Sequence, residues 1–113
     1  MYKLFGIPNC DTVKKARTFL EKKNVAVEFV DFKKTAPSLE DLKRWSEAFG
    51  GLPVNSKGLT YKKFKNEFEA LSDKDKKEFI QKNTSMIKRP ILEKDGRVLS
   101  FGFIEEDYKT ALS

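Results

Sequence analysis

Apolar positions alternate with polar ones near both ends of the chain, and recur every three or four residues between them. Tyr2-Lys3-Leu4-Phe5-Gly6 alternates and reads as a strand over residues 2–6. From residue 11 the period lengthens. Val13, Ala16 and Leu20 fall at helical spacing with Phe19 beside them, while Lys14, Lys15, Thr18, Glu21 and Lys22 take the wet side. This predicts a helix over 11–23, stopped by Asn24. Residues 25–32 read as a second strand, with Val25, Val27 and Phe29 on one face and Val30 and Phe32 on the other. A strand apolar on both faces is expected at the centre of a sheet, covered on both sides. The crossover is long enough for parallel pairing, and such units are right-handed in nearly all folds.

Three helices are predicted next. Ser38 with Asp41 three residues on resembles a capping box in which Asp replaces Glu, and Leu39, Leu42, Trp45 and Phe49 form an apolar stripe ended by Gly50-Gly51. Residues 61–71 carry Tyr61, Phe64, Phe68 and Leu71 at spacings of three and four, the mark of a buried stripe. Ser72 caps a third helix over 73–82, anchored by Phe79 and Ile80. These aromatic stripes read as core rather than ligand site. The period then returns to two. Ile91 and Leu92 follow Pro90, Asp95-Gly96 is a two-residue hairpin signal, and Val98 to Phe101 form the returning strand. Residues 103–112 close as a short helix on Ile104, Tyr108 and Leu112. The class is α/β. A βαβ unit, a helical insert over about 38–83 and a ββα unit give the order of a thioredoxin-like fold with a mixed four-stranded sheet.

Composition fits this picture. A chain of 113 residues with 39% hydrophobic side chains, ten of them Phe, suits a single domain over 1–113 with its own core. One cysteine excludes an internal disulfide and fits a reducing compartment. With one Cys and no His no structural zinc is expected, and an all-carboxylate Ca or Mg site has no EF-hand spacing to mark it, so no metal is assigned. The first residues are too short and mixed for a signal peptide, and no apolar run approaches the roughly 20 residues of a membrane helix, so a cytoplasmic monomer is expected. The net charge of +6 reads as a lysine-rich solvated surface or as attraction to an anion. Charge alone does not choose, because the lysines are interspersed with acids.

The chemistry concentrates at Cys10. Most free cysteines behave as small buried hydrophobes. Cys10 instead follows Pro8-Asn9 in a loop and precedes a helix start at Asp11-Thr12. The first free amides of a helix favour thiolate over thiol, and thiolate is the nucleophile. Thr12 and Lys14, within the following turn, are candidates for holding an anionic substrate, and Arg17 lies a turn further on. A second candidate is Ile87-Lys88-Arg89-Pro90-Ile91. Pro90, directly before a strand, is a candidate for a cis peptide bond that shapes a groove beside the thiol, and its lack of an N–H leaves nearby backbone for a peptide-like substrate. Arg89 would then offer a planar fork suited to an oxyanion or carboxylate; the plainer reading is an exposed arginine beside a strand-edge proline. Lys57, in the polar loop Asn55-Ser56-Lys57-Gly58, is a weaker second cation. Without His there is no Ser-His or Cys-His pair, and no Walker loop or G-x-G-x-x-G is present. Position 13 is Val, so there is no C-x-x-C, and a mixed disulfide on Cys10 needs an outside thiol to release it.

Tyr2 through Ala16, Lys88-Arg89-Pro90-Ile91 and the Asp95-Gly96 hairpin running into Phe101-Gly102-Phe103 resemble the ArsC/Spx family across essentially the whole chain. The resemblance is closest to its single-cysteine Spx/YffB-like branch. It implies a thioredoxin-like core and, in the arsenate reductases of the family, a cysteine that attacks arsenate among three arginines, with glutathione and glutaredoxin completing the reduction. Carried over, the nucleophile falls on Cys10 and one arginine on Arg89. The second falls on Lys57, and the third near Ser100-Phe101, neither of them basic, with Arg97 displaced. Asp11-Thr12-Val13 replaces the Gly-Thr-Ser of those reductases, placing an acid where a multiply charged anion would sit. The expectation is an arsenate reductase-like, single-cysteine thiol oxidoreductase with no bound cofactor, using glutathione as co-substrate and glutathione or a glutaredoxin as partner, on a small anionic substrate, with fewer cations than a dedicated arsenate site. The alternative is an Spx-like regulator that binds RNA polymerase without a redox switch. Nucleic acid is not an expected partner, since no recognition-helix or stacking-aromatic motif is present.

Overall fold

A computed structural model describes residues 1–112. The elements follow in the order β1 (Tyr2–Gly6), α1 (Asp11–Lys22), β2 (Val27–Asp31), α2 (Leu39–Phe49), α3 (Leu59–Glu69), α4 (Asp73–Lys82), a 3₁₀ turn at Thr84–Met86, β3 (Ile91–Lys94), β4 (Arg97–Phe101) and α5 (Glu105–Leu112). The chain divides into two compact units, one of residues 1–35 with 89–112 and one of residues 36–88.

The first unit is built on a mixed four-stranded sheet in the order β2-β1-β3-β4. β1 runs parallel to β2, with Tyr2 opposite Val27 and Gly6 opposite Asp31, and antiparallel to β3, with Phe5 opposite Ile91. β4 returns antiparallel along β3, from Arg97 opposite Lys94 to Phe101 opposite Ile91, with a register shift between Leu92 and Glu93. Positive φ at Asp95 (51°) and Gly96 (79°) makes the tight turn, and their Asp-Gly sequence is suited to it. Leu4 and Leu92 face α1 and α5, where Ala16, Leu20 and Tyr108 complete a fully buried cluster. Each such leucine contributes roughly 1.5–3 kcal/mol of burial. Tyr108 meets Phe103 edge-on at 4.8 Å and Phe19 at 6.0 Å. On the other face, Phe5 stacks on Phe32 with ring centres 6.4 Å apart.

The fold is thioredoxin-like, as the pattern predicted, and three placements differ from expectation. β2 lies at the edge of the sheet and β1 at its interior. Apolar residues on both faces report packing above and below the sheet and carry no information about lateral neighbours. Val27 and Phe29 pack beside the α1 cluster and Phe32 against Phe5, while one margin of β2 stays unpaired. Ile104 does not anchor α5. It sits just before the helix, 59% exposed, with its carbonyl accepting from the Tyr108 N–H at 3.1 Å.

The third correction lies in the second unit, where the stripes are less buried than their spacing predicts. The box at α2 is closed, with Ser38 Oγ accepting from Asp41 N–H and Asp41 Oδ2 from Ser38 N–H, each at 3.0 Å. Gly50 ends that helix at φ 84°. Leu42 and Trp45 are buried, but Leu39 and Phe49 are 54% and 42% exposed, since they occupy the first and last helical positions and overhang the packed face. In α3 only Phe68 is buried; Tyr61 and Phe64 stay half-exposed, and Phe64 and Phe68 contact Phe79 of α4 at 5.4 and 5.8 Å. Ser72 caps α4 as predicted, accepting from Asp75 N–H at 3.2 Å. Hydrogen bonds from Asn55 N–H to Met86 O and from Lys88 N–H to Pro53 O, both 2.8 Å, tie the loop between α2 and α3 to the last residues of the unit.

Candidate active site

Cys10 is the N-cap of α1, with extended backbone (φ −111°, ψ 127°). Its N–H donates to Ile7 O at 3.2 Å, closing the turn after β1, and its carbonyl accepts from Lys14 N–H at 2.9 Å, opening the helix. The half-buried sulfur therefore stands over the unsatisfied amides of the first turn. Its pKa is set by opposing effects. Burial pushes it up, and the Val13 amide, the Arg89 side chain and the Thr12 amide together push it down further, so the net direction is below the ordinary cysteine value. The sulfur makes no side-chain cap hydrogen bond of strict geometry; these donors act as nearby positive partial charges.

What aims the helix at this point is the contact between β1 and α1. Val13 is completely buried, and a Cβ on Gly6 would lie 2.8 Å from its Cγ2 methyl. Only glycine lets the end of β1 approach α1 this closely.

Arg89, two positions before β3, stands near enough to Cys10 to lower its pKa by hydrogen bonding and by charge. The Arg89–Pro90 peptide is cis and Pro90 is buried. Pro90 O accepts from Gly102 N–H at 2.8 Å, where Gly102 holds φ 76°. Because Ile91 pairs with both Phe5 and Phe101, the thiol loop, the cis-proline and the Phe101–Phe103 corner share one end of the sheet.

Other sequence candidates are placed differently. Thr12 and Lys14 are exposed on the first turn of α1, beside Cys10, and Asp11 is exposed at its start. Arg97 pairs with Lys94 at the far end of β4, about 13 Å of strand from Phe101. Lys57 belongs to the second unit, exposed in a turn where Gly58 N–H donates to Asn55 O at 3.0 Å. The free amides expected at the start of α1 are those of Thr12 and Val13, while Gly6 and Gly102 were not among the expected site residues. The glycines were legible only as punctuation, and nothing but the helix start signalled the amides. Among the described residues no cluster of three or more His, Cys, Asp or Glu is arranged for a metal ion, and no helix is long and apolar enough to cross a membrane.

Proteins of known sequence or structure are similar to this chain over nearly its whole length. A solved structure of a protein called YFFB is 38% identical, with the match covering 100% of both chains at a TM-score of 0.85. The solution structure of an arsenate reductase (ArsC) related protein from Brucella melitensis is 32% identical over 99% of this chain and 94% of its own, at a TM-score of 0.72. The global transcriptional regulator Spx of Listeria innocua is 26% identical, with 99% of this chain and 87% of Spx covered. Residues 5–111, which hold the thiol loop, the cis-proline and the hairpin, match the ArsC family, and the chain belongs to that family.

Proposed function

We propose that the protein is a single-cysteine thiol–disulfide reductase drawing electrons from glutathione, directly or through a glutaredoxin. The observation that carries this reading is the place of Cys10 at the N-cap of α1, where the first-turn amides and Arg89 push its thiol pKa down against the opposing effect of burial. In this reading the Cys10 thiolate attacks one sulfur of a disulfide X–S–S–Y. The S–S bond breaks, a Cys10–S–S–X bond forms, and Y leaves as a thiolate that takes a proton from solvent. A glutathione thiolate attacks the X sulfur and frees Cys10 as thiolate. A second glutathione attacks the resulting X–S–S–G, releasing X as a thiol and oxidised glutathione. Two glutathione thiols thus supply the two electrons consumed. Arg89, with Thr12 and Lys14, holds an anionic group such as a glutathione carboxylate, and Pro90 shapes the groove. Lys57 stays a further anion-binding candidate. Val13 occupies the place a resolving cysteine would need, so the cycle depends on the outside thiol.

Arsenate is not the substrate assigned. Arg89 is the arginine acting on the sulfur, Arg97 stands at the far end of β4, and Asp11 adds a negative charge at the start of α1. The test is pH-dependent alkylation of Cys10, followed by mass spectrometry after exposure to oxidised glutathione. A thiol pKa at or above about 8.5 ends the proposal.

The likeness to Spx over nearly the whole chain supports a second reading, a regulator that binds RNA polymerase. With Val at position 13 it would act without a dithiol switch. Capture of purified RNA polymerase by the Cys10→Ser variant, with no glutathione adduct on the wild-type chain, would favour it.

A further inference from the structure

A groove of about 410 Å³ runs along α1, between that helix and the segment leading into α5. Phe19 and Phe103 form its floor, with ring centres 5.7 Å apart. Lys14, Lys15 and Lys22 line its α1 side, all exposed, together with Thr18. Lys14, Thr18 and Lys22 are spaced i, i+4, i+8, which puts them in a row about 12 Å long on one helix face. Glu105 is the acid on the opposite rim, and Lys109 of its own helix approaches it at 3.9 Å. The groove is thus an apolar floor with a predominantly positive margin.

Two connections join it to the thiol. Lys14 N–H is bonded to Cys10 O, so the lysine row begins one turn from the cysteine. Gly102, which bonds to Pro90, immediately precedes Phe103. A body seated in the groove would thus lie one helical turn from the cysteine. Enclosed small-molecule sites bury most of their ligand, and a margin of exposed lysines suits a protein surface better. The two rings are tilted by 58°, and Tyr108 packs edge-on against both, so they are fixed as an apolar floor rather than open for bases to stack between.

We propose that this groove docks the acidic, apolar-centred face of a protein dithiol that releases Cys10 from its mixed disulfide. The inference rests on the reductase reading above. Its step is thiol–disulfide exchange. One thiolate of the partner attacks the glutathione sulfur of Cys10–S–S–G, forming partner–S–S–G, and Cys10 leaves as a thiolate. The partner's second thiol then closes its own disulfide and expels glutathione, so the dithiol supplies both electrons.

The test compares a protein and a small dithiol acting on the glutathione adduct of the full chain, followed by mass spectrometry with glutaredoxin or dithiothreitol as reductant. Lys15→Glu/Lys22→Glu, two exposed changes outside the thiol site, should slow release by glutaredoxin about tenfold at low salt, with the gap closing as salt rises. Release by dithiothreitol should be unchanged. Equal glutaredoxin rates for variant and wild type overturn the proposal, as does an equal slowing with dithiothreitol. Docking is also read without redox chemistry, by titrating glutaredoxin into ¹⁵N-labelled Cys10→Ser chain. Shifts at the Lys14–Lys22 and Phe103 amides support the groove, and shifts confined to other surfaces overturn it. Failure of the wild-type chain to form the adduct counts against the reductase reading, while the titration still decides the groove.

Discussion

Gly6 and Val13 hold the end of β1 against the first turn of α1 at a distance no other residue at position 6 would permit. A Cβ there would lie 2.8 Å from Val13 Cγ2, and Val13 is a short, branched, completely buried side chain with little freedom to retreat. Since Cys10 caps that helix, the pair also sets where the first-turn amides stand relative to the sulfur.

Gly6→Ala should therefore cost about 1–3 kcal/mol through overpacking, and should raise the Cys10 pKa as the helix start shifts. Urea unfolding gives the first number and pH-dependent alkylation the second. In Gly6→Ala/Val13→Ala the clash is relieved, so the loss should be smaller than the sum of the single losses. Additive losses would mean that the two side chains do not meet in this way.

Arg89 lowers the Cys10 pKa by hydrogen bonding and by charge. Arg89→Lys keeps the charge and loses the fork, and Arg89→Met loses both. Alkylation profiles should rank the thiol pKa as wild type lowest, then Lys, then Met. Identical profiles in all three proteins would assign the shift to the helix amides alone.

Much of this site was legible in the sequence because its parts are local. Helical spacing over 11–23, the loop before it and the Asp95-Gly96 turn each depend on near neighbours. Cys10 at a helix start followed from these, and so did a proline opening β3. Lateral order in the sheet was not legible. Val27, Phe29 and Phe32 are apolar because of what lies above and below them, and β2 is an edge strand all the same. Burial at helix ends was equally hidden, since Leu39 and Phe49 satisfy the spacing of α2 while overhanging its packed face. The Gly6–Val13 contact joins residues seven positions apart across a loop, and no periodicity reports such an approach.

Tyr108 separates packing from hydrogen bonding. Its ring is central to the first core, and burial pushes its phenol far above the ordinary tyrosine range. Ser100 lies near enough to offset this in part, yet neither hydroxyl has a partner of hydrogen-bond geometry. Tyr108→Phe removes a buried hydroxyl that gains nothing, so stability should change by less than about 1 kcal/mol, or rise. Tyr108→Ala should cost about 3–5 kcal/mol through the cavity it leaves. A loss for Tyr108→Phe approaching that of Tyr108→Ala would show that the hydroxyl is well satisfied.

The lowered Cys10 pKa must also appear in the pH dependence of folding. In the unfolded chain the thiol titrates at about 8.5, and in the folded chain it titrates lower because Val13, Arg89 and Thr12 outweigh burial. Between the two values the unfolded state binds more protons, so stability rises with pH across that window. The contribution is complete above the unfolded value and is lost as pH falls through the folded one. The wild-type chain should therefore gain stability relative to Cys10→Ser as pH climbs from neutral toward 9, with the difference levelling off above that. Denaturant midpoints for the two proteins over this range give the comparison directly. A difference that stays flat or falls with pH would mean that burial wins at Cys10 and that folding does not favour its thiolate.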